Sequence, residues 1–364
     1  MTGGGNRGPG GRLRGCETSL ATAFDAALLD LDGVVYRGPE AVAGAPDAIE
    51  AARSAGMRTA FVTNNANREP ATIADHLTSL GVPARESEVV TSAQAAAAML
   101  ADQLPAGTRV LAVGGPGLRT ALQGAGLTLV SGADDRPVAV VQGFSPALGW
   151  TDLAEAAYAV NAGARYVATN LDMTIPTERG IAPGNGSLVG AVRVATGVVP
   201  DSAGKPAPGI FHRAAQRLGS RRPLVVGDRL DTDLAGAVAA GMPGLHVLTG
   251  VSDARAAVLA EPGERPTFIS PDLTGLLEPH PEPRRRSPGR WVCVNAVAVV
   301  AGGRVEVREV DGQVRALEAT GEVVVSLNAL RALCCAAWEA ADAGEPLTEL
   351  PPLRVVSGAV PVAR

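Results

Sequence analysis

The chain has 364 residues, 46% of them hydrophobic, and a net charge of −5 spread over interspersed acidic and basic side chains. That length exceeds one ordinary core and predicts two to three domains. The charge balance excludes a nucleic-acid-binding face, and no apolar run is long enough for a membrane span.

Residues 1–22 are Gly-rich without apolar periodicity and read as a flexible tail. Their start lacks the apolar stretch of a signal peptide, so a cytoplasmic location is expected. The apolar run over 24–29 then predicts a buried parallel strand. It leads into Asp30-Leu31-Asp32-Gly33, two carboxylates at i and i+2 before a turn. Ligands in open α/β sheets bind beyond the carboxyl ends of strands. Carboxylates this close repel unless a cation or a proton compensates them. Alone, the pair reads equally as an Asp-rich turn.

A helix over 45–55 and a strand over 58–63 follow, the strand ending in Thr63-Asn64-Asn65-Ala66-Asn67-Arg68. These polar groups suit an anion, or the turn and N-cap of a helix over 71–80. From Val89 the pattern restarts. Helices are expected over 93–104, 117–124, 151–163 and 187–196, and strands over 109–114, 127–130, 138–143 and 166–169. A polar loop covers 170–186. Gly114-Gly115-Pro116-Gly117 has the wrong spacing for a dinucleotide loop, and Pro116 lacks an amide donor. This stretch has its own α/β alternation and reads as a domain inserted into the first.

The first domain resumes near Val199. Gly204-Lys205-Pro206 precedes a helix over 209–218, and a strand over 223–226 runs into Gly227-Asp228-Arg229-Leu230-Asp231-Thr232-Asp233. A helix over 234–240 and a strand over 244–248 complete it. This second acidic strand end repeats the arrangement at Asp30, as if a cation sat between the two loops. Of the 32 basic residues only Lys205 is a lysine, which alone reads equally as chance survival or as a place for a compact ammonium that a planar guanidinium would not fit. Cys16, Cys293, Cys334 and Cys335 form neither a zinc spacing nor a disulfide framework, and the adjacent pair reads as small core residues. Residues 279–290 form a linker by Pro and Arg content. Beyond it lie alternating runs over 291–300 and 304–310 and an amphipathic helix over 327–341. All the polar blocks lie upstream, so a chain ended near residue 283 is expected to keep its chemistry.

Four blocks therefore stand in order: Asp30-Leu31-Asp32-Gly33, Thr63-Asn64-Asn65, Gly204-Lys205-Pro206 and Gly227-Asp228 with Asp233. Together they resemble the haloacid-dehalogenase superfamily of phosphatases. Phe61-Val62-Thr63-Asn64-Asn65, Ala168-Thr169-Asn170 and Pro183-Gly184-Asn185-Gly186 resemble its nitrophenylphosphatase-like branch, whose insertion is a C2-type cap. The layout is also similar to actinobacterial glycerol-3-phosphate phosphatases with a C-terminal extension. The resemblance implies an α/β fold: a Rossmann-like parallel-sheet core (23–90 and 199–278), a cap (91–198) and a small C-terminal α+β extension (291–364).

It further implies an aspartyl-phosphate mechanism. Asp30 is the nucleophile and Asp32 the general acid and base. Magnesium is bound by Asp30, Asp228 and the backbone carbonyl of Asp32, and Asp233 holds a metal-bound water or orients Lys205. Thr63, the amide of Asn64 and Lys205 gather the phosphoryl oxygens. The expected partner is a small phosphate ester, with no nucleic acid and no membrane span, and a homodimer through the cap is allowed. Ser145, Asn170 and Asp172 are the cap residues expected at the leaving group. The cap loops 143–150 and 170–172 contain no Lys, Arg or His, which favours glycerol 3-phosphate. Phosphoglycolate, another small metabolite ester, or a second activity in the tail are the alternatives.

Overall fold

The computed structural model describes residues 11–177, 179–308, 314–316 and 321–356. Its contacts divide the chain into two compact units, residues 1–59 with 220–364, and residues 60–219. The expected core and cap boundaries, at 90/91 and 198/199, lie inside the second unit.

In the first unit, parallel strands run side by side in the order Phe268–Ser270, Gly244–Val247, Pro223–Gly227 and Ala26–Leu29. All four residues of Ala26–Leu29 are buried, which explains the unbroken apolar run: strands covered on both faces need no polar alternation. Because the strands are parallel, their carboxyl ends share one edge. Leu29 is followed there by Asp30, and Gly227 by Asp228.

The C-terminal residues belong to this unit. An antiparallel sheet runs in the order Arg284–Ser287, Arg290–Cys293, Ala296–Ala301, Arg304–Arg308 and Val314–Ala316. The helix Leu327–Asp342 packs on it, beside the parallel pair Val323–Ser326 and Leu353–Val356. Trp291, Leu330, Leu333 and Trp338 share one buried cluster with Leu230, Leu234, Ala257 and Ile269, so the extension and the parallel sheet have a common core.

Three expectations need correction here. The described part of the expected tail is ordered: Leu13 and Leu20 are buried, Arg14 N–H donates to Thr267 O at 3.0 Å, and Cys16 pairs with His280 in an isolated bridge. Residues 1–10 lie outside the described residues. The expected linker contains buried His280 and the strand Arg284–Ser287, whose four residues are all exposed. An exposed, Arg-rich edge strand guards against further pairing and has the composition of a linker. The run over 291–300 is two strands, turned at Val294 (φ 51°). Cys334 and Cys335 are buried as expected, and burial raises both thiols, Cys335 to about 12.

In the second unit, residues 61–63 and Val89–Thr91 pair in parallel, with Thr63 opposite Thr91. A parallel sheet runs in the order Asp201–Ser202, Arg165–Ala168, Ala139–Gln142, Arg109–Val113 and Thr128–Val130. Helices Pro116–Gly124, Trp150–Asn161 and Asn185–Thr196 accompany it. The expected polar loop over 170–186 contains an antiparallel hairpin, Thr174–Thr177 with Gly180–Pro183. Both strands are short, and the described positions are mostly exposed, so no hydrophobic period marked them. Among the described residues, no helix is long and apolar enough to cross a membrane.

Candidate active site

Asp30, Asp228 and Asp233 are buried, and each offers a carboxylate oxygen within 4.8 Å of the other two. Asp30 is fixed by its backbone N–H, which donates to Val226 O at 2.9 Å. Asp228 Oδ2 accepts from Val251 N–H at 2.6 Å, and Asp233 Oδ2 from Arg229 N–H at 3.1 Å. Asp233 is buried in the helical turn Leu230–Leu234, which leads into the helix Ala235–Ala239, where one over 234–240 is expected. The approach is too close for side chains in between: a Cβ on Gly250 would sit 1.8 Å from Asp228 Oδ2, and one on Gly33 (φ +86°) 2.7 Å. Three buried carboxylates gathered on one strand edge are a donor set for a small hard cation. Asp32 lies two residues beyond Asp30, exposed at the turn and bridged to Tyr36.

The second unit gathers the other expected residues. Thr63 is buried at its strand end, and its Oγ1 accepts from Asn65 N–H at 3.1 Å. Asn65 Oδ1 accepts from the N–H groups of Asn67 and Arg68 at 2.9 and 3.0 Å, so this amide is a turn residue. Asn64 instead reaches Lys205: its Oδ1 accepts Lys205 N–H at 2.8 Å and its Nδ2 donates to Lys205 O at 3.1 Å. Lys205 is buried and its Nζ donates to Val62 O at 3.3 Å.

The three cap residues are engaged within the protein. Ser145 Oγ accepts from Ala147 N–H at 3.3 Å in its own loop. Asn170 Nδ2 donates to Asn64 O at 2.8 Å, and its Oδ1 accepts from Asp172 N–H at 3.2 Å. Asp172 Oδ2 accepts from Asn64 Nδ2 at 3.1 Å.

Two supports of this cluster had no role assigned from the sequence, where Asn185 stood only within Pro183-Gly184-Asn185-Gly186. Ser92 Oγ donates to Asn64 O at 2.7 Å, and Asn185 Nδ2 donates to Asn170 O at 2.8 Å. Thr91-Ser92 carries the same signal as the other blocks, a polar pair closing a short apolar strand.

A family model for haloacid dehalogenase-like hydrolases matches residues 27–128, and a second for HAD-hydrolase-like proteins matches 202–276. The D-glycerol 3-phosphate phosphatase of Mycobacterium tuberculosis is 47% identical over 348 residues, covering 93% of this chain and 92% of the relative. An acid sugar phosphatase of Staphylococcus aureus is 40% identical over 231 residues, covering 63% of this chain and 88% of that protein. The crystal structure of a glycerol phosphate phosphatase from Mycobacterium tuberculosis in complex with magnesium aligns with a TM-score of 0.79 at 45% identity, over 94% of this chain and 96% of that one. This chain belongs to the haloacid dehalogenase-like hydrolases.

Proposed function

We propose that this protein is a magnesium-dependent phosphatase that hydrolyses glycerol 3-phosphate through an aspartyl-phosphate intermediate. The observation that carries the reading is the buried cluster of Asp30, Asp228 and Asp233 at the carboxyl edge of a parallel sheet. Magnesium held by Asp30, Asp228 and the backbone carbonyl of Asp32 supplies charge neutralisation, so that an anionic nucleophile can approach an anionic ester. Asp233 supports that site from beside it.

Asp30 attacks phosphorus as its ester oxygen departs, and Asp32 gives that oxygen a proton. Asp32 then takes a proton from the water that attacks the aspartyl-phosphate, and Asp30 is regenerated. The exposed position of Asp32 suits a group that exchanges protons with substrate and water. Thr63, the backbone amide of Asn64 and Lys205 hold the phosphoryl oxygens throughout. Residues 91–198 act as the cap that encloses a small ester. The cap is also the homodimer surface in this reading, with Trp150 77% and Val194 90% exposed, and the location is cytoplasmic.

Phosphate release from glycerol 3-phosphate, with and without magnesium, tests the reading directly. It requires turnover that a chelator abolishes and added magnesium restores. The 40% identity to an acid sugar phosphatase favours a second reading, a sugar phosphate as substrate, which the same assay separates.

A further inference from the structure

Asn64 holds both polar groups of the Lys205 backbone at once, through Oδ1 to its N–H (2.8 Å) and through Nδ2 to its carbonyl (3.1 Å). A carboxamide has two N–H donors. The second contact of Nδ2 is Asp172 Oδ2, at 3.1 Å. The Asn64 carbonyl in turn accepts from Asn170 Nδ2 (2.8 Å) and Ser92 Oγ (2.7 Å). Asn170 Oδ1 then accepts the Asp172 N–H (3.2 Å), which closes a circuit from Asn64 through Asn170 and Asp172 back to Asn64. Asn64, Asn170 and Asp172 thus each commit side-chain atoms to this circuit, and Asn64 to Lys205 as well.

This geometry bears on what a lysine needs. Its ammonium ends a flexible four-carbon stem, so its position depends on where the Cα is held. Lys205 is buried, and its root is gripped on both sides by one side chain. A residue that contacted only the leaving group would have its polar atoms turned to the ligand. Here they brace the strand-end loop that carries the lysine.

We propose that Asn64, Asp172 and Asn170 are positioning residues for Lys205, fixing its ammonium through its backbone, and that the loop at Asn170–Asp172 acts on phosphoryl transfer and not on the choice of leaving group. The inference rests on the reading of Lys205 as a phosphoryl ligand. It assigns Asn170 and Asp172 a different role from the leaving-group contacts their cap position first suggested.

The test uses the full-length protein and two esters with unlike leaving groups, glycerol 3-phosphate and 4-nitrophenyl phosphate. Asn64→Ala lowers kcat by about 10- to 100-fold, as expected of a catalytic group displaced by a fraction of an ångström to an ångström. Asp172→Ala lowers it by about 3- to 10-fold, the loss of one hydrogen bond. Both factors are the same for the two esters. Asp172→Asn retains an acceptor for Asn64 Nδ2 and recovers most of the loss.

A second readout is specific to this chain. Since Lys205 is its only lysine, protein grown on isotope-labelled lysine gives one lysine spin system in the NMR spectrum. That signal moves or broadens in Asn64→Ala and, to a smaller extent, in Asp172→Ala, which keeps the test usable where Asn64→Ala does not fold. If Asp172→Ala impairs glycerol 3-phosphate alone and leaves the lysine signal unchanged, the loop reads the leaving group and the proposal falls. If Lys205→Ala is inactive while Asn64→Ala matches wild type in turnover and spectrum, the positioning role falls but the phosphatase site stands. Wild-type turnover in Lys205→Ala removes the premise about Lys205 itself.

Discussion

The Arg265 guanidinium grips Asp342 with both terminal nitrogens, each 2.8 Å from a carboxylate oxygen. Arg265 is 2% exposed and lies 5.5 Å from the centre of the Trp338 ring, while its Nε donates to Ala260 O at 3.3 Å. The C-terminal helix is therefore fastened to the loop before the strand Phe268–Ser270 by a planar fork that a lysine could not reproduce. Arg265→Ala is expected to cost about 2–3 kcal/mol, because the carbonyls it serves lose their donor while half-exposed Asp342 regains water. Urea denaturation monitored by tryptophan fluorescence measures it. A change below a few tenths of a kcal/mol would mean the fork is ornamental.

The shared core also reverses the expectation that the tail is separable. Ending the chain near Pro283 removes Trp291, Leu330, Leu333 and Trp338 and bares the apolar faces of Leu234, Ala257 and Ile269. The shortened protein is expected to aggregate or to lose its cooperative unfolding transition, as read by size-exclusion chromatography and thermal melting. Monodisperse, fully active truncated protein would contradict a common core.

Asp30→Asn should fold normally and lose measurable turnover, since a carboxamide does not attack phosphorus. Removal of one of three clustered carboxylates also relieves repulsion, so the variant should melt at or above the wild-type temperature when magnesium is chelated. Lys205→Arg keeps the charge but brings a broad guanidinium to a buried site bounded by Val62 O and Asn64. A loss of about 100-fold in kcat is expected, the scale of removing one transition-state donor. Retained activity would make Lys205 peripheral.

How far the sequence disclosed all this depended on burial. The strand Ala26–Leu29 was legible because a doubly covered parallel strand is apolar at every position, and Asp30 breaks that run where the sheet edge begins. Lys205 stood out because every other basic residue is arginine. The edge strand Arg284–Ser287 and the hairpin Thr174–Thr177/Gly180–Pro183 were hidden for the converse reason: exposed elements need no hydrophobic period. The ordered segment over 11–22 was hidden by its glycines, since Leu13 and Leu20, seven positions apart, make no pattern. Asn170 and Asp172 stood out as polar residues of a cap loop, but their partner, Asn64, lies more than a hundred positions away.

Acid should destabilise the first unit through two buried histidines. Burial lowers His246 and His280 to about 4 each, and His280 is held neutral between Gly275 O on Nε2 and Arg331 on Nδ1. The unfolded chain protonates them near the ordinary value, about 6.5. Between those values the unfolded state binds more protons, so stability is complete above about pH 6.5 and declines as the pH falls toward 4. Each histidine contributes a slope of at most about 1.4 kcal/mol per pH unit. His280→Gln keeps a donor for Gly275 O and should reduce the slope between pH 5 and 6.5, measured by urea midpoints. An unchanged slope would place the proton uptake elsewhere.

The choice of substrate follows from charge. A phosphatase for phosphoglycolate must meet a second carboxylate, and one for a sugar bisphosphate a second phosphate, with a cation held for the purpose. The loops 143–150 and 170–172 offer none, since they contain no Lys, Arg or His. The first basic residue after these loops is Arg179, exposed at the hairpin turn, where its backbone N–H donates to Thr177 Oγ1 at 3.3 Å. An exposed arginine on a turn is solvated, and recruiting it to a ligand carboxylate costs side-chain entropy for a modest gain. A neutral polyol has no such need. The enzyme is therefore expected to show a higher kcat/KM for glycerol 3-phosphate than for phosphoglycolate, and Arg179→Ala should leave the glycerol 3-phosphate value within about twofold, as expected of an exposed charge making no substrate contact. Steady-state phosphate release with both esters, for wild type and Arg179→Ala, decides the point. A preference for phosphoglycolate that disappears in Arg179→Ala would show that the hairpin delivers the missing cation, and would reassign the substrate while leaving the aspartyl-phosphate chemistry in place.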